Sequence, residues 1–287
     1  GAYLLWGFFP IYWKLLQDID ALEILAHRMV WSMVFVGAIL VVRRRPWVGK
    51  VDRKSIAVYL AAGSLLAFNW WLYIWAVNSG FIVETALGYF INPLLNVVLG
   101  ATLLGERPRA VQWASIGLAG LGVAYLTFAY GQPPWISLGL ATTFAAYGVL
   151  KKKAAFGALE GLGLETALMF LPALAYLVFV EVDRGGVFGH ASASDHMLLV
   201  FSGVATAMPL LLFAAAVRRL PLTLVGVIQY LSPTIQFLLG VFVYHEVFTV
   251  DRLVGFVLIW LGLLIFASEG LWRRRATRSA ALFPRQG

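Results

Sequence analysis

The sequence is poor in charged residues and contains no cysteine. Only 13% of its 287 residues are charged and 61% are hydrophobic, whereas soluble domains carry about 25% charged residues. So little polar surface cannot keep a chain of 31.6 kDa in water. The absence of cysteine excludes disulfides, a thiol nucleophile and cysteine-based metal sites. The composition therefore predicts an integral membrane protein and excludes a disordered chain or a soluble enzyme.

Signatures of catalysis and of cofactor binding are also missing. The four histidines, at positions 27, 190, 196 and 245, show no metal-ligand spacing. The sequence has no phosphate-binding P-loop and no Gly-x-Ser-x-Gly nucleophile motif. We therefore expect no enzymatic activity, no cofactor and no metal, and this chain alone is not expected to pump with ATP.

Long apolar runs are what the sequence has in abundance. A helix needs about 20 mainly apolar residues to cross a bilayer. We predict an all-α protein with ten transmembrane helices, at about residues 2–17, 22–42, 55–78, 82–104, 109–130, 134–150, 162–182, 196–217, 222–244 and 251–272. The breaks between them are short and carry turn or charge signals, so consecutive helices are expected to be antiparallel.

Lysine and arginine are distributed unevenly over these breaks. If the N-terminus is cytoplasmic, most of the 22 basic residues fall in cytoplasmic loops or in the C-terminal tail. Cytoplasmic loops of membrane proteins carry such an excess, so both termini are predicted to be cytoplasmic. The same distribution accounts for the net charge of +8. Membrane lipids, and not nucleic acid, are therefore the expected surroundings of the basic residues.

The second half of the chain echoes the first at an offset of 140 residues. The matching pairs are Pro93 and Pro233, Gly100 and Gly240, Glu106 and Glu246, and Gly122 and Gly262. This spacing predicts two five-helix units, 1–131 and 132–275, followed by a disordered tail, 276–287. Because five is an odd number, the second unit enters the membrane in the opposite orientation. Inverted repeats of this kind are typical of secondary transporters, which bind substrate near the midplane between the halves.

Six segments carry a family resemblance: AYLLWGFFPIYWK (2–14), ALEILAHRMVWS (21–32), NWWLYIWAVN (69–78), ALGYFINPLLNVVLG (86–100), AAYGVLKKK (145–153) and QYLSPT (229–234). They resemble the RarD, or chloramphenicol-sensitive protein, branch of the EamA family in the drug/metabolite transporter superfamily. The resemblance implies ten helices in a 5+5 inverted repeat, a bacterial inner-membrane location and efflux or permeation of small molecules. It implies no particular substrate.

Polar side chains recur within several predicted helices. They are costly in hydrocarbon unless they face protein or a wet cavity, and a spacing of three or four residues places them on one helix face. As candidate substrate-binding residues we predict Trp6, Asn69, Tyr73, Trp75, Tyr89, Asn92, Tyr147, Gln229, Tyr230 and Ser232. The alternative role, favoured for Asn96 and Gln236, is to hold helices together by hydrogen bonds.

Several prolines and carboxylates are candidate hinge or gate residues. A proline inside a helix lacks a donor and frees the carbonyl four residues earlier. The candidate hinge or gate residues are Pro10, Pro93, Pro209, Pro233, Glu106 and Glu246, the two carboxylates being expected to cap or pair with a neighbouring loop.

Other charged residues fall inside the predicted spans. Glu84, near the outer end of helix 4, is a candidate proton or charge site, or else a carboxylate at headgroup level paired with a basic residue. Glu23, His27 and Arg28 in helix 2 are interpreted as structural residues that pair with one another, because Glu23 and His27 are one helical turn apart.

The favoured hypothesis is a secondary transporter or permease. It would export small organic molecules, amphipathic or aromatic, across the bacterial inner membrane by alternating access around a midplane cavity. Aromatic faces would supply stacking and cation–π contacts. The expected partners are the substrate, protons and lipids, and the oligomeric state is left open, with a monomer compatible. The alternative is a non-transporting membrane sensor or scaffold, or a membrane enzyme, which would need a reactive cluster or an external binding surface.

Overall fold

The structure, a computed structural model, describes residues 1–42, 51–103, 105, 107–152, 156, 158–219 and 229–282. Within these residues the helices, in chain order, are α1 (Ala2–Lys14), α2 (Ala21–Val42), α3 (Arg53–Asn78), α4 (Ile82–Leu103), α5 (Ala110–Tyr130), α6 (Trp135–Lys152), α7 (Ala158–Arg184), α8 (Ala193–Arg219), α9 (Leu231–Leu238) and α10 (Val250–Leu282). A π-helical turn, Leu239–Val243, follows α9. The described residues contain no strand, so the predicted all-α class is confirmed.

Seven of these helices are long and apolar enough to cross a membrane: α2, α3, α4, α5, α7, α8 and α10. This finding supports the multi-pass membrane prediction. The helix α1 has only 13 residues, and α9 has 8 residues before the π-helical turn. The number of ten crossings therefore stays a prediction.

Of the helix ends that differ from the predicted bounds, two have a local explanation. The helix α1 ends at Lys14 and not near residue 17, because the chain tightens there into turns closed by hydrogen bonds from Leu16 to Trp13 and from Gln17 to Lys14. The helix α10 continues to Leu282, whereas the tail from residue 276 was predicted to be disordered. Residues 271–282 contain neither glycine nor proline, so nothing there interrupts helix propensity.

Consecutive helices alternate in direction. We call the end of the bundle at which α1 begins the N-terminal end, and the opposite end the far end. At the far end, Lys14 closing α1 donates a hydrogen bond of 3.0 Å to the carbonyl of Asn78 closing α3. At the N-terminal end, Arg109 before α5 pairs at 2.5 Å with Glu269 in the later part of α10.

The helix α4 links two apolar clusters that form the core. One cluster is built mainly from α1, α2 and α3 and includes Trp13 and Leu72, with Tyr89 of α4 packed against it. The other is built mainly from α4, α5 and α10 and includes Phe90 and Phe256. Adjacent residues of α4 thus serve different clusters, and α4 also packs along α6 and α9.

Two glycines bring the backbones of α5 and α10 together. A Cβ atom on Gly122 would lie 2.8 Å from the carbonyl oxygen of Gly255. A Cβ atom on Gly262 would lie 2.7 Å from the carbonyl oxygen of Ser115. Small residues let membrane helices approach closely and gain van der Waals contact. The observed packing of α5 on α10 therefore requires glycine at positions 122 and 262.

We expect Gly122→Ala to lower the melting temperature of the detergent-purified protein, because the added methyl group meets the backbone of α10. Overpacking of this kind costs about 1–3 kcal/mol. Gly120→Ala is the matched control, since a Cβ atom there meets nothing within 4 Å. Thermal unfolding followed by tryptophan fluorescence measures the difference. Equal melting temperatures for the two variants would contradict the backbone contact.

Candidate functional site

Polar side chains from α3 and α4 reach α6 in the interior of the bundle. Asn69 is fully buried, and its Nδ2 atom donates to the carbonyl of Leu140 and to Oγ1 of Thr143, both at 2.9 Å. Asn92 on α4 is also buried, and its Nδ2 atom donates to the carbonyl of Ala141 at 3.2 Å. The polar faces predicted for α3 and α4 therefore meet the same stretch of α6.

Aromatic rings pack beside these asparagines. The ring centroids of Tyr73 and Tyr89 lie 5.7 Å apart, and those of Tyr89 and Phe144 lie 6.2 Å apart, both in edge-to-face geometry. Among the described residues, the Tyr73 hydroxyl and Oδ1 of Asn69 have no hydrogen-bond partner. We call Asn69, Tyr73, Tyr89, Asn92 and Phe144 the central cluster. It offers hydrogen-bonding groups and aromatic faces in an otherwise apolar interior.

A separate polar contact joins α1 to α9. Pro10 has no N–H group, so the carbonyl of Trp6 loses its partner within α1. Nε2 of Gln236 donates to this carbonyl at 3.0 Å and to the Ser232 hydroxyl at 3.3 Å. Trp6 and Ser232, both predicted to bind substrate, thus take part in a helix-joining contact.

Two further candidates from the sequence, Trp75 and Tyr230, pack their rings on residues outside the central cluster. Trp75 is at the far end, where its ring is 5.9 Å from that of Phe81. Tyr230 stacks on Phe90 at 6.4 Å, which places it on the other apolar cluster. Gln229 is half-buried and is separated from α9 by a turn at Tyr230. Helical periodicity predicts the face on which a residue lies but not which neighbouring helix that face meets.

Tyr147 belongs to a polar group at the N-terminal end. Its hydroxyl donates to Oε2 of Glu165 at 3.3 Å, and Lys151 pairs with Oε1 of Glu165 at 2.9 Å. The Lys151 ammonium also lies 5.0 Å from the ring centroid of Tyr59. These residues tie α3, α6 and α7 together and close the interior on this side.

Glu246 closes the far end. After the π-helical turn, its carboxylate accepts hydrogen bonds from the backbone N–H groups of Ile82 and Val83, at 2.5 and 2.8 Å, and so caps α4. Burial raises the pKa of the Glu246 carboxyl, while the two N–H donors oppose that shift. His245 adopts a left-handed conformation, with φ 53°, and turns the chain toward α4. Glu106, the corresponding candidate in the first half, lies outside the described residues.

Glu84 lines a cavity at the far end. Its Oε1 atom is 3.8 Å from Nη2 of Arg252. The cavity holds about 160 Å³, and its lining includes Gln132, Trp135 and Phe256. The geometry agrees with the interpretation of Glu84 as a carboxylate paired with a basic residue, and it leaves Glu84 half-buried and open to the cavity.

The remaining hinge candidates lie within helices. Pro93 is inside α4, where it frees the carbonyl of Tyr89 in the central cluster. Pro209 is buried inside α8. Pro233 falls in the first turn of α9, just after the turn at Tyr230. Of these prolines, Pro93 alone frees a carbonyl that belongs to the central cluster.

The charged residues of α2 do not pair with one another, so that prediction is wrong. Oε1 of Glu23 accepts from the backbone N–H of Val187 at 2.7 Å. Neither ring nitrogen of His27 has a hydrogen-bond partner among the described residues. Nε of Arg28 donates to the Thr206 hydroxyl at 2.6 Å. Partners on α8 and on the chain between α7 and α8 replace the partners within α2 that the spacing suggested.

From the sequence, Arg28 was interpreted as structural and was not a candidate site residue. It is only 2% exposed, and its guanidinium carbon lies 3.9 Å from the ring centroid of Trp70 and 5.1 Å from that of Trp13. The available signal was an arginine well inside a predicted span, which is rare and usually functional.

Comparison with known proteins identifies the family. A model of the EamA-like transporter family matches residues 1–128 and 134–268. The chain is 45% identical to Protein RarD of Streptomyces exfoliatus over 284 residues, which cover 98% of this chain and 90% of that protein. It is 39% identical to Protein RarD of Escherichia coli over 280 residues, with 96% and 95% covered. It is 42% identical to Uncharacterized transporter YojE of Bacillus subtilis over 286 residues, with 97% and 95% covered.

The fold also has a solved counterpart. A crystal structure of another protein superposes with a TM-score of 0.58 over 92% of this chain and 93% of that one, at 20% identity. Identity this low bears on the fold alone. The chain belongs to the RarD branch of the EamA-like transporter family. It is a membrane transporter of the drug/metabolite type and a multi-pass protein of the bacterial inner membrane.

We expect Glu246→Ala to lower the melting temperature, because two N–H groups at the start of α4 lose their acceptor. Loss of a helix cap costs about 0.5–2 kcal/mol. Glu246→Gln keeps one side-chain oxygen and should give an intermediate value in the same thermal unfolding assay. A Gln variant no more stable than the Ala variant would show that the hydrogen bonds contribute little.

Proposed function

We propose that this protein is a secondary transporter that exports small organic molecules by alternating access around the central cluster. The observation that carries the proposal is the cluster itself. Asn69, Tyr73 and Asn92 bury polar groups in the interior of a membrane bundle, and two of these groups lack a protein partner among the described residues. Such groups are costly in a membrane unless they serve a pathway or a ligand.

Paired contacts support an inverted repeat. Gly122 contacts Gly255, and Gly262 contacts Ser115. Gly122 lies 140 residues before Gly262, and Ser115 lies 140 residues before Gly255, so the two contacts correspond under the repeat. The packing of α4 on α6 has its counterpart in the packing of α9 on α1, and the packing of α2 on α8 has its counterpart in that of α7 on α3. The family model also matches twice, once in each half. Two halves in opposite orientation can exchange conformations of similar energy, which provides the two states that alternating access needs.

Contacts at both ends of the bundle support a state in which the central cluster is closed to both sides of the membrane. At the far end, Glu246 caps α4, and Lys14 joins α1 to α3. At the N-terminal end, the Lys151–Glu165 pair joins α6 to α7. We propose that the N-terminal end is cytoplasmic, as the distribution of basic residues predicts. Opening to either side then requires one set of contacts to break while the other holds.

We expect Asn92→Ala and Tyr89→Ala each to abolish solute flux in proteoliposomes while leaving a folded protein. Asn92→Ala removes the hydrogen bond to the carbonyl of Ala141 on α6 and the one that Oδ1 of Asn92 accepts from Asn96. Interhelical hydrogen bonds in membranes contribute only about 0.6 kcal/mol on average. Fluxes of a panel of labelled aromatic and amphipathic solutes measure the loss.

Thr102→Ala is the matched control for these variants. Thr102 lies on the same helix, is exposed, and its hydroxyl bonds only the carbonyl of Val98 in its own helix. Flux should therefore persist in Thr102→Ala. Unchanged flux in both Asn92→Ala and Tyr89→Ala would remove the central cluster from the pathway. Binding of solutes without flux in the unaltered protein would favour a sensor.

We further propose that Glu84 couples flux to protons. It is a half-buried carboxylate that lines the far-end cavity, and its basic neighbour Arg252 is 3.8 Å away. Glu84→Gln should retain downhill flux but lose its acceleration by an imposed pH gradient. The measurement is solute flux with and without the gradient in matched vesicles. A variant that responds to the gradient as the unaltered protein does would argue against coupling through Glu84.

A further inference from the structure

Arg28 is held in an aromatic box inside the bundle. Its guanidinium carbon lies 3.9 Å from the ring centroid of Trp70, 5.1 Å from that of Trp13 and 6.0 Å from that of Phe9. Its Nε atom donates to Thr206, whose own hydroxyl hydrogen is directed to the carbonyl of Ser202. One edge of the guanidinium is thus fixed, and the stacking on Trp70 fixes its plane.

The positive charge of Arg28 has no negative partner among the described residues. No described carboxylate lies within 4 Å of it, and Thr206, its hydrogen-bond acceptor, is neutral. Its Nη1 atom is buried and has no hydrogen-bond partner among the described residues. A buried charge is normally paired, because its removal from water costs several kcal/mol. Cation–π contact with Trp70 offsets only about 2 kcal/mol of such a cost.

Helix packing does not explain the charge either. If α2 and α7 correspond as the repeat predicts, the residues 140–142 positions after Arg28 are Leu168, Met169 and Phe170, all apolar. The corresponding helix of the second half therefore packs without a cation at this place.

Arg28 lies at the depth of the central cluster. With a rise of about 1.5 Å per residue, Arg28 is about 10 Å from the far end of α2, and Tyr89 is about 10 Å from the far end of α4. Tyr12 packs edge-to-face on Trp13 of the aromatic box, and Tyr73 packs in the same way on Tyr89. Nε1 of Trp13 has no hydrogen-bond partner among the described residues. Two unused donors, Nη1 of Arg28 and Nε1 of Trp13, therefore lie in the aromatic box.

We infer that Arg28 binds the carboxylate of a small aromatic organic anion, whose ring packs against the tryptophan and tyrosine rings around it. This inference rests on the proposed function and names its substrate class. A planar guanidinium suits a carboxylate through two parallel hydrogen bonds. A cationic solute would be repelled, and the face of Trp70 is already occupied by the protein's own cation.

The space next to the aromatic box is small. Trp70 lines a cavity of about 20 Å³ between α2, α3 and α7, and the lining of this cavity includes the Glu165 carboxylate but not Arg28. This space is far below that of a drug-sized pocket. Entry of even a single aromatic ring beside Arg28 therefore requires side chains to move.

Matched probes with the same ring test the inference. Binding of phenylacetate, neutral phenylacetamide and cationic phenethylamine is measured by calorimetry on the full chain in detergent. We expect phenylacetate to bind about tenfold or more tightly than phenylacetamide, the effect of one charge-assisted interaction, and phenethylamine not to bind. Equal affinities for acid and amide, or no binding of phenylacetate, would overturn the inference.

Three variants separate a binding role from a structural one. Arg28→Met keeps the apolar stem, should abolish the preference for the acid and should melt no lower than the unaltered protein, because an unpaired buried charge is removed. Arg28→Lys keeps the charge without the planar fork and should retain a reduced preference. Arg109→Met, at the N-terminal end, where Arg109 pairs with Glu269 outside the central cluster, should retain the full preference. Arg28 would only support the fold if Arg28→Met melted at a much lower temperature and every variant, Arg28→Met included, still preferred the acid.

Flux of the same probes in proteoliposomes distinguishes this inference from the proposed function. If the unaltered protein carries acid and amide equally, transport stands and the role of Arg28 falls. If it binds the acid selectively but carries neither probe, the Arg28 site stands and the transport proposal falls.

Discussion

The membrane interior provides no water, so each polar group placed there needs a partner from the protein or from a ligand. Most of the polar contacts follow from this constraint. Pro10 leaves the Trp6 carbonyl free, and Gln236 from another helix pairs with it. Asn69 pairs with α6, and Glu246 pairs with the exposed N–H groups of α4. The polar groups without a described partner include Nη1 of Arg28, the Tyr73 hydroxyl and Oδ1 of Asn69, with which a solute could form hydrogen bonds.

The helices could be predicted because the bilayer determines how long an apolar run must be. Several of their ends could not, because tertiary contacts decide them, whereas the ends of α2 to α5 lie within two residues of the prediction. Lys14 ends α1 while bonding to the carbonyl of Asn78, which is 64 residues away in the chain. The π-helical turn after α9 could not be predicted from the sequence either, since Gly240 in it packs against Val83 of α4.

The site was predictable in part. Asn69, Tyr73, Tyr89 and Asn92 follow helical periodicity, and the structure brings them together. Periodicity contains no information on the partner helix, so it could not show that the Trp75 ring packs on Phe81 at the far end or that Tyr147, whose ring lies 6.0 Å from that of Phe144, bonds Glu165 of α7 through its hydroxyl. For Arg28 the nearest candidate partners in the sequence were misleading, because its actual acceptor, Thr206, is 178 residues away.

The glycine contacts between α5 and α10 have a mechanical consequence. Ser115 and Gly122 are seven residues apart, so the two contacts are separated by about 10 Å along the helix pair. Side chains can change rotamer and let helices slide, but a carbonyl oxygen resting on a glycine cannot adapt in that way. Two such points resist both sliding and rotation. We therefore expect α5 and α10 to move as one unit.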